Sequence, residues 1–324
     1  MKHITLKNKE NELQVCNVVY GPGEAGGNLD KMTSYRFMDY YVERGGDTLD
    51  TARVYGSWHI PGRALSEEMI GSWMKSRGNR NQLIVSTKGG HPPMENMYSP
   101  RINAAEIRKD LEASLRDLET EYVDIYWLHR DDLNKPVSEI MPVLHEFVKE
   151  GKVRVLGASN WTCERIAEAN RFATENSLTP FSSSQICWAL AKYRLMPHDD
   201  TEIQMTEEAY NWYLSQEMPV FAFTSQAQGL FQKAIAAGGS LEAMHNEGFT
   251  HYFETEATNH NIKAVKELAE KYNVSPSTIN LAYFHSNKLP SVALFSASRL
   301  SQMEDTLSDT DFVLSEEEME TFWW

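Results

Sequence analysis

The chain has 324 residues, with 31 Lys and Arg against 46 Asp and Glu, so its formal net charge is −15 at neutral pH. An acidic chain repels nucleic acids and anionic membranes, which favours a small-molecule or protein partner. With 41% hydrophobic residues the chain has enough apolar material for a large core, which excludes a disordered protein.

Eight short apolar runs of strand character recur along the chain and alternate with segments of helical spacing, such as Ile107, Leu111 and Leu115. Most strand-to-strand steps span roughly 30 to 40 residues, which favours βα units with parallel strands, and eight such units predict a (β/α)8 TIM barrel. No linker divides the chain, so we expect residues 1–324 to form a single domain. The predicted strands cover residues 15–19, 48–50, 83–87, 123–128, 153–157, 183–186, 220–223 and 291–295.

Two segments lie outside this repeat. Ile4 and Leu6 are set against Leu13 and Val15 across a polar turn, which predicts a β-hairpin that plugs the barrel floor. The longest step, before the last strand, contains residues 229–252, which we predict to form an extended loop or lid.

Ionisable side chains stand where three neighbouring strands end. Asp50 ends the second strand and Tyr55 follows it, Lys88 ends the third strand, and His129 follows the fourth. Catalytic groups of TIM barrels lie at the carboxyl ends of the strands, so we expect these four side chains to converge over the barrel mouth. Taken singly, each has an ordinary structural explanation, such as a plain Asp–Lys salt bridge.

The order of these four residues resembles the catalytic tetrad of the aldo-keto reductase superfamily. The resemblance implies the reduction of a carbonyl group, which needs a hydride on carbon and a proton on oxygen. A tyrosine hydroxyl is a weak acid at neutral pH. An ammonium about 4 Å from a phenol oxygen favours the phenolate by roughly 4 kcal/mol at an effective dielectric constant near 20. Asp50 would hold Lys88 charged and in place, and His129 could hydrogen-bond the substrate oxygen.

The motif Asp-Thr-Ala-x-x-Tyr-Gly at residues 50–56, followed by a strand ending in Lys88 and a strand ending in Leu128-His129, resembles the aldo-keto reductase superfamily. The order and spacing match its catalytic tetrad, and the resemblance extends from residue 15 to residue 305. It implies a single aldo-keto reductase-like barrel and a nicotinamide cofactor.

The resemblance also implies which residues hold the cofactor. Ser159, Asn160 and Gln185 match the clamp on the carboxamide, and Phe223 stands where the family usually stacks a Tyr on the nicotinamide ring. Residues 224–230 resemble the pyrophosphate loop, with Gln226 in place of an apolar residue. The full set of implied cofactor contacts is Gly21, Ser159, Asn160, Gln185, Phe223, Thr224, Gln226, Gln228, Gly229, Ser296, Arg299 and Gln302.

Members of the family typically bind the adenosine 2′-phosphate with a Lys and with an Arg six residues later. This chain keeps Arg299, helped by Ser296, but has Ala293 where the Lys would stand. Guanidinium groups bind phosphate bidentately, so NADP(H) is the expected cofactor, with NAD(H) as the alternative. The resemblance leaves the choice between the two open.

Residues 21–26 fit the pattern G-x-G-x-x-G, which alone suggests a Rossmann dinucleotide site. The next helical pattern begins near Thr33 and not at the third glycine, so we interpret the match as fortuitous. As the loop after the first barrel strand, Gly21 and its neighbours are instead expected to lie beside the nicotinamide or to form a plain turn.

Aromatic side chains near the tetrad are candidates for the substrate pocket. They are Trp58 and His59 after Tyr55, Trp127 before His129, and Trp161 after Asn160. For each tryptophan, structural packing is an equal alternative.

The leading hypothesis is therefore an NAD(P)H-dependent reductase of an aldehyde, ketone or sugar-like carbonyl, with Tyr55 as the proton donor. The alternative is a redox-sensing regulatory protein that keeps the fold and binds the cofactor with little turnover. Short-chain dehydrogenases are excluded because no Tyr has a Lys four residues later, and metal-dependent barrel hydrolases because no His-x-His is present.

No segment approaches the roughly 18 uninterrupted apolar residues of a membrane span, and the first residues form no signal peptide, so we expect a cytoplasmic protein. The three cysteines, Cys16, Cys163 and Cys187, are widely spaced and form no Cys-x-x-Cys pair. This pattern predicts reduced core thiols, with neither a disulfide framework nor a metal site. The sequence gives no indication of the oligomeric state.

Overall fold

The computed structural model describes residues 1–196, 199–244 and 248–324. Within this part of the chain, eight parallel strands close into a barrel in the order β10-β3-β4-β5-β6-β7-β8-β9, and helices surround it. The barrel strands are β3 (Val18–Tyr20), β4 (Thr48–Asp50), β5 (Ile84–Gly89), β6 (Val123–Leu128), β7 (Val153–Ser159), β8 (Phe181–Cys187), β9 (Val220–Phe223) and β10 (Ser291–Phe295). The (β/α)8 prediction is confirmed.

The helices lie outside the barrel because each turns an apolar face to the strands, as α3 does with Ile107, Leu111 and Leu115. In the described residues the helices are α1 (Lys31–Glu43), α2 (Leu65–Arg77), α3 (Ala104–Asp117), α4 (Val137–Lys149), α5 (Cys163–Glu175), α6 (Glu207–Ser215), α7 (Leu230–Ala237), α8 (Thr255–Tyr272), α9 (Pro276–His285), α10 (Leu300–Thr306) and α11 (Glu316–Met319). None of the helices described is long and apolar enough to cross a membrane. Short 3-10 helices cover Arg80–Gln82, Ala227–Gly229 and Thr250–Tyr252.

The predicted hairpin forms from β1 (His3–Lys7) and β2 (Glu12–Cys16), which pair antiparallel with Ile4 opposite Val15 and Leu6 opposite Leu13. Leu6, Leu13 and Val15 are buried and join the apolar side chains inside the barrel. The hairpin therefore plugs the barrel floor, as the sequence predicts.

The first barrel strand is shorter than predicted, because the predicted strand over residues 15–19 spans two elements. Residues 15 and 16 belong to the hairpin, and the barrel strand begins at Val18. The change of partner occurs at Asn17, whose N–H donates to Lys2 O at 3.0 Å while its carbonyl oxygen accepts from Ala293 N at 2.9 Å.

The loop predicted over residues 229–252 contains a helix, so that prediction is wrong for its first part. Leu230, Phe231 and Ala234 are buried on one face of α7, at the spacing that an amphipathic helix requires. Residues 245–247, also part of the predicted loop, lie outside the described residues.

Candidate active site

The candidate site lies at the carboxyl ends of three adjacent strands. Asp50 is the last residue of β4, Lys88 lies one residue before the end of β5, and His129 directly follows β6. β4 pairs with β5 and β5 with β6 in parallel, so the three side chains emerge at the same end of the barrel. The barrel thus brings together residues that lie about 40 positions apart in sequence.

Asp50 and Lys88 form a buried ion pair at the centre of this end, with exposures of only 2% and 1%. Lys88 Nζ lies 2.5 Å from Asp50 Oδ2 and donates a second hydrogen bond to Thr51 O at 2.8 Å. Burial alone would lower the pKa of the Lys88 ammonium, but the Asp50 carboxylate and the Tyr55 phenol oppose it and leave the pKa above its ordinary value. Lys88 therefore stays charged in the interior.

The other oxygen of Asp50 is also held. Asp50 Oδ1 accepts hydrogen bonds from Ser86 Oγ at 2.6 Å and from Gln185 Nε2 at 3.2 Å. Trp127 Nε1 donates in turn to Ser86 Oγ at 2.6 Å. These contacts fix the orientation of the carboxylate and, through it, the position of Lys88.

Tyr55 lies over this ion pair, in the loop that follows β4. Lys88 Nζ is 4.9 Å from the centroid of the Tyr55 ring, and the nearby Tyr55 side chain is among the causes that raise the pKa of Lys88. Tyr55 is half-buried, so its ring is reachable from solvent. A Cβ on Gly23 would lie 3.6 Å from the Tyr55 ring, so the loop after β3 lies against it.

The imidazole of His129 completes the arrangement. Its ring centroid lies 5.9 Å from that of Tyr55, with the planes at 73°. His129 is buried, and its N–H and carbonyl groups are fixed by Gly89 O and by the Asn160 side-chain amide. The structure thus brings all four predicted catalytic residues to one place.

His91 is a member of this cluster that the sequence reasoning missed. It follows Lys88 by three residues, is buried, and its ring centroid is 4.7 Å from that of His129. Its Nδ1–H donates to Pro92 O at 2.6 Å. The signal in the sequence was its position just beyond the third strand end, where loops of this fold carry functional side chains.

Burial, and next the Arg130 guanidinium, lower the pKa of His91 from 6.5 to about 4. The unfolded chain takes up a proton on this residue as the pH falls through about 6.5, whereas the folded chain does so only near the lowered value. The stability that His91 contributes is therefore present above pH 6.5 and lost as the pH falls from there towards 4.

We predict that the free energy of unfolding falls by about 2 kcal/mol more between about pH 7 and pH 5 in the native chain than in His91→Asn, as measured by urea denaturation at each pH. Asn keeps a donor near the position of Nδ1 but cannot take up the proton. Equal losses in the two proteins would contradict the lowered pKa.

Three predicted carboxamide contacts adjoin the tetrad. Ser159 and Asn160 stand at the end of β7, and Gln185, on β8, already contacts Asp50. Asn160 has a φ of +58°, and its side chain bridges His129 O at 3.2 Å and Ile203 N at 3.1 Å. Asn tolerates this left-handed backbone better than most residues, which accounts for its place here.

The predicted pyrophosphate loop follows β9. Phe223 is half-buried at the strand end, and Thr224 turns the chain with a φ of +56°. Gln226 donates to Thr306 Oγ1 at 3.2 Å, which ties the loop to α10. Gln228 and Gly229 also have positive φ and lead directly into the N-terminus of α7, a place where backbone N–H groups favour phosphate.

The predicted adenosine phosphate contacts lie after β10. Ser296 and Arg299 are exposed, and Arg299 has no ion pair within the described ranges. Gln302 Oε1 accepts hydrogen bonds from Ser298 N at 2.8 Å and Arg299 N at 3.2 Å. Gln302 thus orders the backbone that carries Arg299. Gly21 directly follows β3, the strand beside β10, and donates its N–H to Phe295 O at 2.8 Å.

The four aromatic candidates divide into two groups. Trp58 is 43% exposed with its ring centroid 5.9 Å from that of Tyr55, and His59 pairs with Glu24 at 2.8 Å beside it. Trp127 and Trp161 are fully buried. The prediction that Trp127 and Trp161 line the substrate pocket is therefore wrong, and both are packing residues. Neither ring offers surface to a ligand, and Trp127 lies one layer deeper in the barrel than His129.

Comparisons with known proteins agree with this architecture. The sequence model of the aldo/keto reductase family matches residues 17–322 of this chain. Norsolorinic acid reductase A of Aspergillus parasiticus is 28% identical over 311 residues, which cover 93% of this chain and 74% of that protein. An aryl-alcohol dehydrogenase (NADP(+)) of Phanerodontia chrysosporium is 34% identical over 165 residues, which cover 48% of this chain and 41% of that protein.

Proposed function

Because this chain belongs to the aldo/keto reductase family, we propose that it is an NAD(P)H-dependent reductase that converts an aldehyde, ketone or sugar-like carbonyl to the alcohol. The observation that carries the proposal is the fully buried Asp50–Lys88 pair beneath the half-buried Tyr55 ring. A structural ion pair has no need of a phenol placed over it at the mouth of a barrel.

In this proposal Tyr55 delivers the proton to the carbonyl oxygen. The Lys88 ammonium stabilises the phenolate that remains, and Asp50 holds the ammonium in place. His129 donates a hydrogen bond to the carbonyl oxygen and orients the substrate. Tyr55 then regains its proton from solvent, which its half-buried position permits.

The residues present fit a nicotinamide dinucleotide. Gln185 and Asn160 offer amide groups beside the tetrad, and Phe223 offers an aromatic face. The loop before α7 and the guanidinium of Arg299 offer two separate positions for phosphate groups. When bound, the reduced cofactor supplies the hydride that the carbonyl carbon receives.

The assay that tests the proposal is NADPH oxidation with 4-nitrobenzaldehyde, with the alcohol identified by chromatography. An aromatic aldehyde is the first choice because the exposed Trp58 ring beside Tyr55 offers it an apolar wall, and because one relative is named for aryl alcohols. Equimolar loss of NADPH and gain of alcohol is expected. Tight NADPH binding with no turnover across aromatic, aliphatic and sugar aldehydes would instead favour the redox-sensing alternative.

We also propose that NADP(H) is preferred and that Arg299 is the reason. Replacing Arg299 with Ala is expected to raise KM for NADPH by about 10- to 100-fold, because a charged hydrogen bond to phosphate contributes about 1.5–3 kcal/mol. KM for NADH should stay within about 2-fold, since NADH lacks the 2′-phosphate.

The control for this measurement is Arg171→Ala, which removes another exposed guanidinium, on α5. It should leave both KM values unchanged. If Arg299→Ala changed KM for NADPH and KM for NADH equally, Arg299 would not contact the 2′-phosphate. NAD(H) would then be the cofactor to test.

A further inference from the structure

Three side chains of different metal-ligand types meet beneath the barrel, far from the candidate active site. His3 and Cys16 are direct cross-strand partners in the hairpin, and Asp47 directly precedes β4. One ligand atom from each lies within 4.8 Å of the other two. The cysteine spacing gives no hint of this cluster because its members come from three separate segments.

One distance within the cluster matches that between two ligands of a bound zinc ion. His3 Nε2 lies 3.6 Å from Cys16 Sγ and 2.7 Å from Asp47 Oδ2. Zinc–sulfur and zinc–nitrogen bonds of about 2.3 and 2.1 Å at a tetrahedral angle place sulfur and nitrogen about 3.6 Å apart. Between His3 and Asp47 the separation has to grow by about 0.7 Å, from a hydrogen-bonding distance to a tetrahedral edge of about 3.4 Å.

The ligands are also oriented by their neighbours. Thr48 Oγ1 donates to Asp47 Oδ1 at 2.6 Å and accepts from Cys16 N at 3.2 Å, so one hydroxyl fixes both the carboxylate and the strand that carries the thiol. Such outer contacts are typical of metal sites. The His3 and Asp47 side chains are 36% and 30% exposed, which leaves a path for an ion from solvent.

We propose that His3, Cys16 and Asp47 bind one Zn²⁺ ion, with water as the fourth ligand. One thiolate, one imidazole and one carboxylate suit a borderline-soft cation and disfavour Mg²⁺ and Ca²⁺, which prefer oxygen ligands alone. Binding forms bonds from the metal to sulfur, nitrogen and oxygen. These bonds replace bonds from the ion to water molecules, and the thiol proton is released to solvent. The neutral His3 imidazole binds through Nε2 with its hydrogen on Nδ1, and no oxidation or reduction occurs.

The site would act on stability. Asp47 precedes β4 and Asp50 is its last residue, so the metal would join the hairpin to the barrel floor at the end of the barrel away from Tyr55. This end of a TIM barrel usually contributes to stability, whereas the opposite end carries the catalytic residues. Zn²⁺ at about 100 times its dissociation constant is expected to raise Tm by about 5 °C.

The test uses the full chain without a polyhistidine tag, stripped with a chelator and titrated with Co²⁺, which reports thiolate ligation through a charge-transfer band in the near ultraviolet. We expect one Co²⁺ per chain, displaced by Zn²⁺, and the rise in Tm with Zn²⁺. Cys16→Ser should abolish the band and the shift in Tm, whereas Cys163→Ser, a matched change at a half-buried thiol on α5, should preserve both.

His3→Gln serves as a second variant at a partly exposed position, so the proposal stays testable should Cys16→Ser fold poorly. It should weaken Co²⁺ binding by at least about 10-fold, the loss usual for removing a contact at a metal site. Absence of the band in the native chain, its persistence in Cys16→Ser, or equal Co²⁺ binding by His3→Gln would overturn the proposal.

Discussion

Replacing Tyr55 with Phe is expected to lower kcat for carbonyl reduction by about 10²- to 10⁴-fold, the contribution of a positioned general acid. The variant loses only the hydroxyl and keeps the ring beside Lys88, His129 and Trp58. NADPH affinity, measured by fluorescence titration, should therefore change by less than about 2-fold. The activity is measured with 4-nitrobenzaldehyde at saturating NADPH.

Tyr35→Phe is the matched control for this change. It also removes a tyrosine hydroxyl, one that contacts Ser72 Oγ at 2.6 Å on the outer helices. Its kcat should stay within about 2-fold of the native value. A Tyr55→Phe variant that keeps more than about a tenth of the native kcat would mean that another group supplies the proton.

Replacing Lys88 with Met is expected to abolish reduction and to lower the free energy of unfolding by about 3–5 kcal/mol, because it leaves the Asp50 carboxylate buried without its counter-ion. Asp50 would retain the hydrogen bonds from Ser86 and Gln185 but not the charge of Lys88. Chemical denaturation followed by circular dichroism measures the stability, and NADPH oxidation measures the activity.

Two further variants separate charge from packing. Lys88→Met combined with Asp50→Leu should recover part of the lost stability without any activity, because no unpaired charge remains. Lys75→Met removes an exposed lysine paired with Glu119 and should leave the unfolding free energy nearly unchanged, because solvent screens that pair. A Lys88→Met variant as stable as Lys75→Met would contradict the buried ion pair.

The sequence predicted the barrel because strand and helix periodicities repeat along nearly the whole chain. It misplaced the start of the first barrel strand because Val15 and Cys16 are as apolar as Val18 and Val19, and only Asn17 separates the hairpin from the barrel. It missed α7 because the glycine-rich flanks of that helix resemble a loop.

The meeting of Asp50, Tyr55, Lys88 and His129 was predictable because a TIM barrel places residues from successive strand ends around one rim. The depth of a side chain within the barrel was not predictable. A tryptophan at position 127 is compatible with a pocket wall and with the core. Only its packing against Phe221, with 5.0 Å between the ring centroids, shows that it belongs to the core. His91 was missed because its place depends on how the loop after β5 folds. The meeting of His3, Cys16 and Asp47 depends equally on tertiary pairing.

In the proposed reaction a carbonyl carbon receives a hydride from the cofactor while Tyr55 protonates the carbonyl oxygen. The most direct measurement uses NADPH carrying deuterium in both positions at nicotinamide C4, with 4-nitrobenzaldehyde as substrate and mass spectrometry of the alcohol. We expect one deuterium per molecule on the benzylic carbon, whatever the solvent. Alcohol without that label, or no alcohol formed while NADPH is bound, would contradict it.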